Sequence, residues 1–86
     1  PNVEIYNNLG ITLFNMGRAG EALTALNEGA ALDPSYQRIW LTLGFVNSRV
    51  GNVEEARQAL TTAVGMGADN DVGQSAQQML DDLPPA

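Results

Sequence analysis

Two equal stretches decide how this chain reads. They are residues 3–36, VEIYNNLGITLFNMGRAGEALTALNEGAALDPSY, and residues 37–70, QRIWLTLGFVNSRVGNVEEARQALTTAVGMGADN. Laid over each other at a period of 34, they are identical at eight places: Ile5/Ile39, Leu9/Leu43, Gly10/Gly44, Gly17/Gly51, Glu21/Glu55, Ala22/Ala56, Ala25/Ala59 and Leu26/Leu60. Tyr6/Trp40, Ile11/Phe45 and Met16/Val50 are conservative beside them. The repeating residues are aromatic, Leu, Gly and Ala at helical spacings. A fixed period between 20 and 50 residues indicates stacked supersecondary units.

Each unit reads as two helices. Ile5, Tyr6, Leu9, Leu13 and Met16 recur at steps of three and four, which gives one apolar face. Gly17 and Gly20 break this helix, and Glu21 places a carboxylate in the first turn of the next. Ala22, Leu23, Ala25, Leu26, Gly29, Ala30 and Leu32 carry the second helix to Asp33-Pro34, where proline cannot continue the ladder. The second unit repeats this with Ile39, Trp40, Leu43 and Val46, a break at Gly51-Asn52, and then Ala56, Ala59, Leu60, Ala63 and Val64. It closes on Gly65-Met66-Gly67-Ala68, where a C′ glycine with positive φ is expected in place of the proline stop. Gly10, Gly44, Ala22 and Ala56 stand where a larger side chain would hold the paired helices apart. Residues 71–83 form one more amphipathic helix, with Val72, Ala76, Met79, Leu80 and Leu83 on one side and Gln74, Gln77, Gln78, Asp81 and Asp82 on the other. Its polar outer face suits a helix that closes a stack.

The residues Tyr6, Leu9, Gly10, Ala22, Leu26 and Pro34, and then Trp40, Leu43, Gly44, Ala56 and Leu60, resemble the signature of the tetratricopeptide repeat family. The resemblance covers residues 3–70, with departures at Gly29, Asn47 and Ala68. It implies an all-α fold of antiparallel helix-turn-helix repeats, stacked as a short right-handed α-solenoid of five helices. The expected organisation is a single domain over 1–86, with repeat one at 3–36, repeat two at 37–70, a capping helix at 71–83 and a tail at 84–86.

Composition excludes most chemistry. The chain has 86 residues, 10 acidic and 4 basic, for a net charge of −6, with no Cys and no His. All four basic residues are Arg, so Lys is absent as well. The usual general bases, thiol nucleophiles, imidazole or thiolate metal ligands and Schiff-base lysines are therefore missing. An acidic chain lacks the cationic footprint for nucleic acid or an anionic membrane. The longest uncharged stretch, residues 5–17, is interrupted by Asn7, Asn8 and Asn15, short of the ~20 apolar residues that span a bilayer. The carboxylate pairs Glu54-Glu55 and Asp81-Asp82 diverge by ~100° on a helix, and they read as capping and solvated surface. Asp69-Asn70-Asp71-Val72-Gly73 misplaces the glycine of a calcium loop, with Leu80 where a bidentate Glu belongs. Gly65-Met66-Gly67 lacks the strand and the third glycine of a dinucleotide fingerprint. A non-enzymatic chain with no cofactor and no metal is expected, soluble, in cytoplasm or periplasm. The start at Pro1-Asn2-Val3-Glu4, without an initiator Met, points to a piece of a longer protein.

What remains is a binding surface. By resemblance, the first helices of successive units line a concave groove for a peptide or partner helix. The groove-facing positions are Glu4, Asn7, Asn8, Ile11, Phe14 and Asn15, then Arg38, Leu41, Thr42, Phe45, Ser48 and Arg49. Ile11, Phe14, Leu41 and Phe45 form an apolar patch, the mark of an interaction site. Asn7, Asn15, Thr42, Arg38 and Arg49 supply polar contacts to a peptide backbone or carboxylate. The expected partner is a protein or peptide, apolar and carrying a basic residue. It is not the acidic C-terminal tail of Hsp70 or Hsp90. The two-carboxylate clamp for that tail needs Lys, Asn, Asn, Lys and Arg, where this chain has Asn7, Ile11, Thr42, Val72 and Ala76. The alternative is a structural role as a homo-oligomer or as part of a longer array. Two repeats are fewer than the three that secure a stack, so Val3, Ile5, Ala19 and Leu23 would dock on other copies or on further repeats.

Overall fold

The computed structural model describes residues 2–85. Five helices follow in order: α1 (Val3–Asn15), α2 (Ala19–Leu32), α3 (Gln37–Arg49), α4 (Val53–Met66) and α5 (Asp71–Asp82). They form a short all-α solenoid, with α1 paired to α2, α3 paired to α4, and α5 packed against both α3 and α4.

The pairing inside each repeat rests on a leucine seated over a glycine. A Cβ at Gly10 would lie 2.4 Å from Leu26 Cγ, and one at Gly44 would lie 2.3 Å from Leu60 Cδ2. Leu26 and Leu60 have no solvent exposure, and full burial of such a side chain contributes about 1.5–3 kcal/mol. Ala22 and Ala56, also without exposure, keep the opposing surface low. The two repeats then join through Leu26, Ala30, Ile39, Leu43 and Val46. Trp40 Nε1 donates to the Pro34 carbonyl at 2.9 Å and ties α3 to the turn that precedes it.

The breaks between helices also repeat. After α1, Gly17 N–H donates to Phe14 O and Arg18 N–H to Leu13 O; after α3, Gly51 N–H donates to Ser48 O and Asn52 N–H to Asn47 O. Gly17 and Gly51 have φ of 80° and 89°, the left-handed closure of a Schellman motif. Gly20, expected to share this break, instead lies in the first turn of α2. The bidentate pair from Arg18 to Glu21, at 2.6 and 2.9 Å, bridges the entry to that helix. The hydrogen bond, and then the charge, of Glu21 hold the Arg18 guanidinium above its ordinary pKa.

The end of α4 departs from expectation. Gly67 has φ of 170°, extended backbone that any residue adopts, so a left-handed cap is not why glycine stands there. The reason is crowding. Gln37 Nε2 donates to the carbonyls of Ala63 and Gly67, both at 2.8 Å, and Asn70 Nδ2 donates to Gln37 Oε1 at 2.8 Å. A Cβ on Gly67 would sit 2.9 Å from Asn70 Nδ2. This amide network closes the second repeat where Asp33-Pro34 closes the first. Asn70 Oδ1 also accepts from Gly73 N–H at 2.8 Å and so caps α5. Asn47, which replaces a family aromatic, is buried with its Oδ1 accepting from Asn52 Nδ2 at 3.0 Å. α5 stops at Asp82, one residue short of the expected end, because Leu83 precedes a proline and is extended.

Two glycine substitutions should move stability in opposite directions. At Gly73 a Cβ would overlap the Gly67 carbonyl, a backbone atom that cannot rotate away. Gly73→Ala should therefore destabilise by about 1 kcal/mol, because overpacking of ~1–3 kcal/mol outweighs the ~1 kcal/mol gain in helix propensity. Gly65 is exposed, helical and has no neighbour within 4 Å, so Gly65→Ala should stabilise by roughly 0.5–1 kcal/mol. Urea melts of both variants check the pair.

Candidate peptide groove

α3 packs against both α1 and α5, and the surface of these three helices is the candidate groove face. The expected site residues divide into three groups on that face. Phe14, Phe45 and Arg49 come together. The Phe14 and Phe45 rings meet edge to face, with centroids 5.5 Å apart and planes at 76°. The Arg49 guanidinium carbon stands 5.7 Å from the Phe45 centroid. Both contacts are of the favourable kind for aromatic quadrupoles, and they fix three side chains that would otherwise sample many rotamers. Ser48 Oγ donates to the Phe45 carbonyl at 2.7 Å and holds that turn.

A second group is accessible but separate. Ile11 is exposed, as are Asn15 and Arg38, while Leu41 is half-buried and packs against the cluster of Leu60, Ala63 and Ala76. Leu41 is thus part floor of the groove and part core.

The third group lies beneath the surface. Thr42 is buried, and its Oγ1 donates to the Arg38 carbonyl at 3.1 Å, one turn back on the same helix. Asn7 is only 2% exposed, and its Oδ1 has no hydrogen-bond partner among the described residues.

α5 adds residues that its sequence did not announce. Met79, Asp82, Leu83 and Pro84 face Phe45, Ser48 and Arg49 across a cleft of about 330 Å³. Only the alternation of apolar residues on α5 hinted at this, and that pattern equally describes a helix that merely covers a core. The cleft carries one cation, Arg49, and one anion, Asp82, at its rim. The opposite flank of α3 is a different surface. There Asn27, Glu55, Gln58 and Thr62 surround Trp40 and Leu43 in a cleft of about 290 Å³ between α2 and α4. Polar rims and a floor already used by the core make it the less adhesive of the two.

Among the described residues there is no cluster of three or more His, Cys, Asp or Glu side chains that would hold a metal ion. No helix there is long and apolar enough to cross a membrane.

Known proteins agree with this architecture. The family model for the tetratricopeptide repeat matches residues 13–80. A peroxisomal targeting signal receptor of Kluyveromyces lactis is 36% identical over 67 residues, which is 77% of this chain and 12% of that protein. A peroxisomal targeting signal receptor of Candida glabrata is 36% identical over 67 residues, again 77% of this chain, and 11% of that protein. The chain therefore spans about an eighth or less of the length of these relatives. Two tandem helical hairpins with glycine-seated leucines and a matching family model place this all-α, protein-binding chain in the tetratricopeptide repeat family.

Proposed function

We propose that the α1–α3–α5 face is a non-enzymatic recognition groove for a short peptide or partner helix with apolar side chains. The observation that carries this reading is the Phe14–Phe45–Arg49 cluster beside the α3–α5 cleft, in which Phe45 and Arg49 are exposed and Phe14 is half-buried against the core. Aromatic and Arg side chains dominate binding hot spots because they bury much area at little entropic cost. Here their mutual contacts hold them in place before a partner arrives, which lowers the cost of association.

The division of labour follows from the chemistry. Ile11, Phe14, Leu41 and Phe45 take the apolar side chains of the peptide, with Met79 and Leu83 as the far wall. Arg38 and Arg49 meet a carboxylate or backbone carbonyls, and Asn15 bonds the peptide backbone. Asn7 Oδ1, buried beneath this face, accepts a peptide N–H once the side chain turns outwards. Thr42 supports this arrangement from within α3. A basic residue of the peptide is met by Asp82 and by the net charge of −6, which also repels acidic tails. The absence of His, Cys and Lys removes the commonest groups for acid–base and nucleophilic chemistry at neutral pH. The relatives' printed name, a receptor for a targeting signal, fits recognition of a short protein-borne sequence, although this chain corresponds to a small part of those proteins.

Phe45→Asp tests the assignment, because Phe45 is 36% exposed and its loss leaves the core intact. Peptides selected on the wild-type chain should bind this variant at least ~tenfold more weakly, a loss of about 1.4 kcal/mol, with an unchanged circular dichroism spectrum. Gln58→Asp, on the opposite flank, should leave affinity unaltered. Fluorescence anisotropy measures both. Equal affinity of wild type and Phe45→Asp for every selected peptide would contradict the groove.

A further inference from the structure

The cleft between α2 and α4, on the flank away from the groove, has a counterpart one repeat earlier that shows what its carboxylate can hold. Tyr6 and Glu21 line the earlier cleft, and their equivalents 34 positions on, Trp40 and Glu55, line the later one. Glu21 grips the Arg18 guanidinium with both carboxylate oxygens, at 2.6 and 2.9 Å. At the place of Arg18 the second repeat has Asn52. Glu55 therefore stands in its cleft without the cation that the first repeat provides.

The plainer roles for Glu55 are filled by other groups. Asn52-Val53-Glu54-Glu55 has the spacing of a capping box, in which the Glu carboxylate accepts from the N-cap N–H. That N–H donates instead to the Asn47 carbonyl at 2.9 Å, while the Asn52 side chain donates to Asn47 Oδ1 at 3.0 Å. Arg57, the one basic residue of α4, turns to the Glu54 carboxylate and the Pro84 carbonyl. Glu55 has no ion pair among the described residues.

The rest of the cleft suits a guanidinium. Trp40 lines it, with the indole held by its Nε1 bond to the Pro34 carbonyl. Indole is the best aromatic partner for a cation, and a planar, weakly hydrated guanidinium stacks on it better than an ammonium does. Asn27, Gln58 and Thr62 at the rim offer amides and a hydroxyl to flanking peptide groups. None of the described residues that line the cleft is basic. The α-carboxylate of a free amino acid would thus meet only a chain of charge −6, whereas an arginine within a polypeptide brings no such charge. We infer that the α2–α4 cleft is a recognition site, separate from the groove, for an arginine side chain of a partner polypeptide. Glu55 pairs its guanidinium and Trp40 stacks on it.

Trp40 is the single Trp of the chain, so its fluorescence and its Nε1–H resonance report on this cleft. The probe is the tripeptide Gly-Arg-Gly, acetylated and amidated, titrated into the full chain. It should change both signals saturably, and the same tripeptide with neutral citrulline in place of Arg should change neither. Glu55→Gln, at an exposed position, should stay helical and bind the probe ~fivefold or more weakly. Asn52→Arg, which copies the first repeat, should weaken it likewise by holding Glu55 within the chain. If that variant loses helicity with its bond to Asn47, Glu55→Gln decides. Phe45→Asp should bind the probe as wild type does, so failure here and failure of the groove are told apart. No saturable change at Trp40, equal affinity of wild type and Glu55→Gln, or equal binding of the citrulline peptide would each overturn the inference. Free arginine binding as tightly as the tripeptide would overturn the assignment to a polypeptide.

Discussion

Leu26 over Gly10 and Leu60 over Gly44 are the contacts on which everything else in this molecule depends. In each pair a fully buried side chain fills the space that a Cβ would take. Close packing makes such a seat unforgiving, because interior atoms have almost no room to give way. The glycine costs ~1 kcal/mol of helix propensity, and burial of the leucine more than offsets it. With both hairpins built to the same thickness, the second stacks on the first through Ile39 and Leu43. α3 then comes to rest between α1 and α5, and three inner helices share one face. The face proposed as the groove is thus a consequence of two glycines at matching phase.

Much of this was legible in the sequence because repetition filters noise. Eight identities at one period mark the packing seats and the turns together. The helix count, the pairing, the seats at Gly10 and Gly44 and the turns at Gly17 and Gly51 all follow from that register. Features that depend on two distant amides meeting did not show. Gln37 bonds the end of α4 across 26 and 30 residues, and no local pattern marks a glutamine for that task. Gly67 illustrates the same limit, because glycine serves both positive φ and crowding, and only geometry tells them apart. Asn2, which caps α1 by accepting from Ile5 N–H at 3.1 Å, carried a readable signal, an Asn just before the first periodic residue.

The face proposed for binding was legible in outline but not in depth. Helical phase places Asn7, Ile11, Phe14, Leu41, Thr42 and Phe45 on broadly one side. Whether a residue on that side is lining or foundation depends on how closely the neighbouring helix approaches. Asn7 and Thr42 fall within that approach and are buried, while Phe45 stands clear of it. α5 then supplies Met79 and Leu83 to the cleft, a role that its apolar stripe allowed without requiring. Charge completes the picture. Four arginines against ten carboxylates leave Arg38 and Arg49 as local cations on an otherwise acidic chain.

The most direct measurement is the set of intermolecular nuclear Overhauser effects between this chain and the tightest peptide selected from a random library. The groove account predicts contacts from peptide protons to the rings of Phe14 and Phe45 and to the methyls of Ile11 and Met79. Contacts to Asn27, Gln58 and Thr62 on the opposite flank, with none to either ring, would contradict it.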